Sequence, residues 1–153
     1  MKRILFVCLG NICRSPAAEA VLRAKAAGRG LDLVIQSAGT GGWHQGDPAD
    51  ARMIRAAQRR GYRLSHHRAR QVEFADFYSF DMLLAMDLRN QGDLLAMAPP
   101  NRECDIRLFL DFADTRVRET PDPYYGGDKG FEDVLDLIEQ GADALLDHIE
   151  ESE

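Results

Sequence analysis

The apolar run Ile4-Leu5-Phe6-Val7 ends in Cys8 and passes through Leu9-Gly10-Asn11-Ile12-Cys13-Arg14 into Ser15-Pro16 and an Ala-rich segment. A run that is apolar at every position, rather than at every second one, fits a strand covered on both faces, as in a parallel sheet. Ser15 suits a helix N-cap and Pro16 the first helical position, where a missing N–H is harmless. The stretch is therefore predicted as strand, loop and helix. A helix start presents unpaired N–H groups and the positive end of its dipole, which together attract an anion. Cys8 at the strand end and Arg14 at the helix start would bring a thiol and a guanidinium to that anion.

The same alternation runs through the chain. Apolar runs at 31–35, 82–86 and 106–110 predict three more strands, and helical composition falls at 15–28, 49–60, 73–78 and 87–97, with Asp87 as an N-cap. The stretch from Ser37 to Gly42 reads as a turn. In the last segment Phe131, Val134, Leu135, Ile138, Ala142, Leu145 and Ile149 recur every three or four residues, which predicts a long helix weakened slightly at Gly141. Glu150 to Glu153 reads as a solvated acidic tail. Strands alternating with helices predict a single-domain α/β protein with a doubly wound, four-stranded parallel sheet and helices on both faces. In such sheets the site lies at the carboxyl ends of strands, where Cys8 falls.

Composition narrows the partners. The 153 residues are enough for one core, and no apolar run approaches the ~20 residues of a membrane span, so no membrane insertion is expected. A formal net charge of −6 argues against nucleic-acid binding, which calls for a basic face. Any phosphate must then be held by a focused local site. Three cysteines, Cys8, Cys13 and Cys104, in a chain without a signal peptide read as reduced thiols, and a cytoplasmic location is expected. His44, His66 and His67 show no metal-ligand spacing, so neither a metal nor another cofactor is expected.

Within the loop, Gly10 permits close backbone approach and Asn11 tolerates a left-handed conformation. The helix start and Arg14 both favour the thiolate form of Cys8. Arginine offers a planar fork that matches two phosphate oxygens. The run Cys8-Leu9-Gly10-Asn11-Ile12-Cys13-Arg14-Ser15-Pro16, together with Asp122-Pro123-Tyr124-Tyr125-Gly126, closely resembles the low-molecular-weight protein tyrosine phosphatases, from end to end of the chain.

The resemblance implies a phosphotyrosine phosphatase acting on a phosphotyrosine-containing protein or a small aryl phosphate. Cys8 would be the nucleophile, Arg14 the phosphate clamp and Asp122 the general acid and base. The phosphate-binding loop would comprise Leu9, Gly10, Asn11, Ile12, Cys13, Arg14 and Ser15. Trp43, Tyr124 and Tyr125 would wall the cleft. Asn11, Ser15, Ser37 and His67 would form a supporting hydrogen-bond network. Cys13 would either pack the loop or, as the resemblance favours, form a reversible disulfide with Cys8 that shelters it from over-oxidation. A monomer is expected.

Four rivals share parts of this pattern. An arsenate reductase would need further cysteines after the third strand, and residues 87–100 contain none. An arginine phosphatase would carry a small hydroxyl residue where this chain has Ile12. A thiol-disulfide redox protein leaves Arg14 and Asp122 unexplained, and a non-catalytic phosphotyrosine binder would lack Cys8 or Asp122.

Overall fold

A computed structural model describes residues 2–123 and 127–152. Four parallel strands form one sheet in the order β2-β1-β3-β4: β1 (Lys2–Cys8), β2 (Leu33–Gly39), β3 (Met82–Ala85) and β4 (Asp105–Leu108). The helices are α1 (Arg14–Gly28), α2 (Ala51–Arg59), the single turn α3 (Asp76–Ser79), α4 (Leu88–Met97) and α5 (Gly127–Glu151). None of them is long and apolar enough to cross a membrane.

Strand alternation divides the core in two. Ile4, Phe6 and Cys8 of β1 face a cluster built with Val21 and Leu22 of α1, Met53 of α2, and Leu135, Ile138 and Leu145 of α5. Leu5 and Val7 face the opposite cluster, with Phe77 and Phe80, Leu83 of β3 and Leu94 of α4. Residues of β1 thus bury their side chains on both sides of the sheet, which is why the run from Ile4 to Val7 carries no polar residue.

Several boundaries differ from those expected. β2 begins at Leu33, because Leu31 N–H still bonds the Ala26 carbonyl and belongs to the end of α1. It then runs through Ser37-Ala38-Gly39 rather than turning there, since each of these residues pairs with Phe6 to Cys8 of β1. β4 is shorter than expected and gives way to a 3₁₀ turn at Phe109–Phe112. Gly141 is required by packing: a Cβ there would lie 2.6 Å from Phe109 Cζ. The acidic end is not a free tail either. Helix α5 continues to Glu151, and Glu150 pairs with Arg29 at 3.0 Å.

The strand order sets the position of the site. The chain leaves β1 toward β2 on one side and later returns to β3 on the other, so the carboxyl ends of β1 and β3 flank the switch point of the sheet. The segment after β1 supplies residues 9–13, and the segment after β3 supplies Asp87.

Candidate active site

Helix α1 begins two residues before the Pro16 start expected. Arg14 is its first residue, and Cys13 stands at the cap position with no side-chain cap bond. Pro16 still lies in the first turn, where its missing N–H costs nothing. Ser15 is freed from capping, and its hydroxyl turns toward Cys8 Sγ at 2.9 Å. The N–H groups of Arg14 and Ser15, in the first turn, have no intrahelical acceptor and remain available to an anion.

The loop folds tightly above β2. Thr40 N–H donates to the Cys8 carbonyl and Gly41 N–H to that of Leu9, both at 2.9 Å, so the sheet ladder continues into the loop. A Cβ on Gly39 would lie 2.7 Å from the Leu9 carbonyl oxygen, which only glycine avoids. Asn11 takes φ 57°, the left-handed region that asparagine tolerates better than most residues.

Asn11 is wholly buried and every one of its polar groups is used. Its backbone N–H points to Cys8 Sγ at 3.3 Å, and its carbonyl accepts from His67 Nε2 at 2.6 Å. Its Oδ1 accepts from Arg70 N–H at 2.9 Å, which fixes the orientation of the amide. The two Nδ2 protons therefore go to Ser15 Oγ at 2.9 Å and Ser37 Oγ at 3.0 Å. Each serine then has one proton left. That of Ser37 goes to Glu19 Oε1 at 2.7 Å, a carboxylate that can only accept. That of Ser15 has two acceptors in reach, Cys8 Sγ at 2.9 Å and the Ala38 carbonyl at 3.4 Å, and a thiolate sulfur, which can only accept, takes it. The network thus has one consistent polarity, and it aims two donors, Ser15 O–H and Asn11 N–H, at the sulfur.

His67 bonds a carbonyl, so its Nε2 carries the proton. Burial holds its pKa below the ordinary histidine value, against the Asn11 carbonyl and Glu19, which pull it up. The ring is held neutral as a fixed donor. Glu19 and the Arg70 backbone complete the network, and neither stood out in the sequence. The only signal was that Glu19 follows Ser15 by one helical turn.

Arg14 is almost fully buried. Its Nη1 donates to Asp87 Oδ2 at 2.8 Å and to the Thr120 carbonyl at 3.0 Å, while Nη2 lies 3.9 Å from Asp122 Oδ2. Burial alone would favour the neutral guanidinium. The negative charge of Cys8, with the bond and charge of Asp87 and the charge of Asp122, outweighs it and holds Arg14 more firmly protonated than usual. Asp87 does cap α4, accepting from Asn90 N–H at 2.8 Å through Oδ1. Its other oxygen is what holds Arg14. That second role was missed, because it depends on β1 and β3 lying side by side.

Cys8, Ile12, Cys13, Arg14, Trp43 and Asp122 line one cleft of about 330 Å³, to which Leu9, Gly10 and His44 also contribute. Cys8 lies at its floor, 3% exposed, whereas the Asp122 side chain is half-exposed at the rim. Trp43 stands in solvent with its indole over Gly41, where any Cβ would collide with the ring. His44 approaches Gly10 closely and forms part of the same wall, a position not expected for it. Cys8 and Cys13 are both free thiols. Burial, and then the proximity of Cys8, raise the Cys13 pKa far above the ordinary thiol value, so Cys13 stays protonated. Tyr124 and Tyr125, expected as a second wall, lie outside the described residues.

Residues 3–153 match the family described as low molecular weight phosphotyrosine protein phosphatase. The chain belongs to that family. Among relatives of this family, the low molecular weight protein-tyrosine-phosphatase YfkJ of Bacillus subtilis is 44% identical over 153 residues, covering 98% of this chain and 97% of its own. A crystal structure of a protein tyrosine phosphatase from Entamoeba histolytica superposes with a TM-score of 0.95 at 41% identity, covering 99% of both chains. The fold is not confined to tyrosine-directed members. A drosophila arginine phosphatase superposes with a TM-score of 0.92 at 34% identity, covering 97% of this chain and 98% of its own.

Proposed function

We propose that this chain hydrolyses phosphotyrosine and related aryl phosphate monoesters through a phosphocysteine intermediate. The observation that carries the proposal is the convergence of Cys8 and Arg14, from the loop after β1, and Asp122, more than a hundred residues later, on one cleft at the switch point of the sheet.

The substrate phosphoryl group sits over the loop amides, with two of its oxygens on the free face of the Arg14 fork. The Cys8 sulfur attacks phosphorus in line. An S–P bond forms, the P–O bond to the aryl group breaks, and its electron pair goes to the phenolic oxygen. Asp122, protonated at this stage, gives that oxygen its proton. The released phenol leaves, and Asp122, now a carboxylate, takes a proton from a water that attacks phosphorus. The P–S bond breaks, Cys8 recovers its thiolate and inorganic phosphate departs. Ser15 O–H and Asn11 N–H stabilise the thiolate that leaves in this second step. Arg14 and the helix start hold the equatorial oxygens as their charge shifts.

The cleft favours an aryl ester over a guanidino phosphate through Ile12, which gives it an apolar side chain near the leaving group rather than a hydroxyl. Trp43 offers a flat face for the phenyl ring, and Tyr124 and Tyr125 are proposed for the other wall. Cys13 is proposed as the resolving thiol that captures oxidised Cys8. The substrate would be a phosphotyrosine-bearing protein or small aryl phosphate in the cytoplasm, met by a monomer.

The test is initial-rate hydrolysis of p-nitrophenyl phosphate and a phosphotyrosine peptide, with a chelator present, by wild type, Cys8→Ser and Asp122→Ala. Turnover by wild type, none by Cys8→Ser and a loss of about 10²–10⁴-fold on the peptide for Asp122→Ala are expected. Turnover by Cys8→Ser would refute the assignment of the nucleophile.

A further inference from the structure

Behind the Cys8 loop, between α1, β2 and residues 63–70, lies a second cavity of about 340 Å³. Arg23, Arg63, Arg68 and Arg70 line it, with His66 and His67. This concentration of cations runs against the chain as a whole, in which 25 carboxylates outnumber 19 basic residues. From Ala51 to Arg70 there are seven arginines and no carboxylate. Of the four arginines that line the cavity, two are held by carboxylates, as are two outside it. Arg59 and Arg60 are held by Glu132 of α5, Arg70 by Asp76 at 2.9 Å, and Arg23 by Glu19 at 2.9 Å.

Arg63 and Arg68 differ. Among the described residues neither faces a carboxylate, and Arg68 bonds only the carbonyl of its neighbour His67. His67 spends Nε2 on Asn11, and its other ring nitrogen has no protein partner among the described residues. The cavity therefore brings together two guanidinium groups with open donors, in a pocket whose one lining carboxylate, Glu19, is already bonded to Ser37 and Arg23. Guanidinium groups gathered without a counter-charge repel each other, and a multiply charged oxyanion relieves that repulsion while matching their planar donors.

We propose that this cavity is a second anion site, separate from the Cys8 cleft, which binds a phosphate group through Arg63 and Arg68. Its lining includes Ser37 and His67, two of the residues that bond Asn11. An anion bound there alters the setting of both, and through Asn11 it reaches Ser15 and the donors on Cys8. The existence of the site is independent of the hydrolytic function proposed above, whereas its consequence for turnover rests on that function. The phosphate group would come from inorganic phosphate itself or from a small organic phosphomonoester, for which the volume leaves room.

Titration followed by amide resonances separates these possibilities. Inorganic phosphate and glycerol phosphate are each added to wild type, to Cys8→Asp, whose loop carries a fixed negative charge, and to Arg63→Gln/Arg68→Gln, all at constant ionic strength. In Cys8→Asp, saturable shifts are expected at residues 63–70 and Ser37, with Asn11 following the same isotherm. In wild type the same shifts should appear beside a separate saturation at the Cys8 loop. The arginine double variant should bind about tenfold more weakly or worse at this cavity, having lost two charge-assisted contacts, while retaining the Cys8-loop response. The ligand that saturates at the lower concentration identifies the source of the phosphate group. Absence of a saturable response at 63–70 in both wild type and Cys8→Asp overturns the site, as does an undiminished response in the double variant. A response at 63–70 with Asn11 silent overturns the connection to Cys8.

Discussion

Arg14 Nη1 lies 2.8 Å from Asp87 Oδ2, and this ion pair ties the first turn of α1 to the N-cap of α4 across the switch point of the sheet. The guanidinium is thereby held on one edge, leaving the other for phosphate. Asp87→Asn should preserve the cap of α4, because asparagine caps as well as aspartate. It removes the charge that orients Arg14. The expected outcome is a fall in kcat/KM for p-nitrophenyl phosphate of about tenfold or more, with little change in melting temperature. Unchanged kcat/KM would show that Arg14 is positioned without Asp87.

Asn11 separates backbone strain from hydrogen bonding. Asn11→Gly keeps φ 57° accessible but removes the amide that joins Ser15 to Ser37. The chain should fold, and kcat should fall about 10- to 100-fold, because the donors on Cys8 lose their fixed direction. Asn11→Ala adds a conformational penalty of about 1–2 kcal/mol on top, visible as a lower melting temperature than that of the glycine variant. Equal kcat for wild type and Asn11→Gly would remove the network from the mechanism.

His67 gives stability a pH dependence whose sign follows from its environment. Burial holds its folded pKa below that of the unfolded chain. The unfolded state therefore binds the proton more readily, and the His67 contribution is lost as pH falls below about 6.5 toward the folded pKa. Urea unfolding across this range should show wild type losing stability more steeply than His67→Gln, which can still donate to the Asn11 carbonyl. Parallel slopes would mean that His67 is not buried in its neutral form.

Ile12 lines the cleft beside Cys8. Ile12→Thr should shift the ratio of kcat/KM values for phosphotyrosine and phosphoarginine toward phosphoarginine, because the hydroxyl gives a polar leaving group a partner. An unchanged ratio would mean that the preference is set elsewhere in the cleft.

The sheet was legible because β1 is apolar on both faces, and the long helix because its apolar residues keep a strict spacing. The loop was legible because Gly10, Asn11 and Ser15-Pro16 each carry a local conformational preference. Partnerships between distant residues were legible only through the family resemblance, and only in part. Asp87 read as a cap and nothing more, since its second oxygen meets Arg14 only once β1 and β3 lie together. Ser15 read as a cap by its local preference, and its place beside Cys8 Sγ was expected only from its position in the loop and its part in the supporting network. Glu19 carried no local signal of its role, because Ser37 comes to it from β2. Gly141 read as a weak point, and only the ring of Phe109 explains it.

The central claim is covalent transfer of the phosphoryl group to Cys8, and a rapid-quench experiment reaches it most directly. p-Nitrophenolate leaves without needing a proton, so with Asp122→Ala the first step stays fast while water attack is slowed. Mixing that variant with p-nitrophenyl phosphate should release a burst of one p-nitrophenolate per chain, and mass analysis of the quenched protein should find one phosphoryl group on the peptide containing Cys8. Release of phosphate in step with p-nitrophenolate from the first turnover, with no phosphorylated peptide, would contradict the phosphocysteine mechanism.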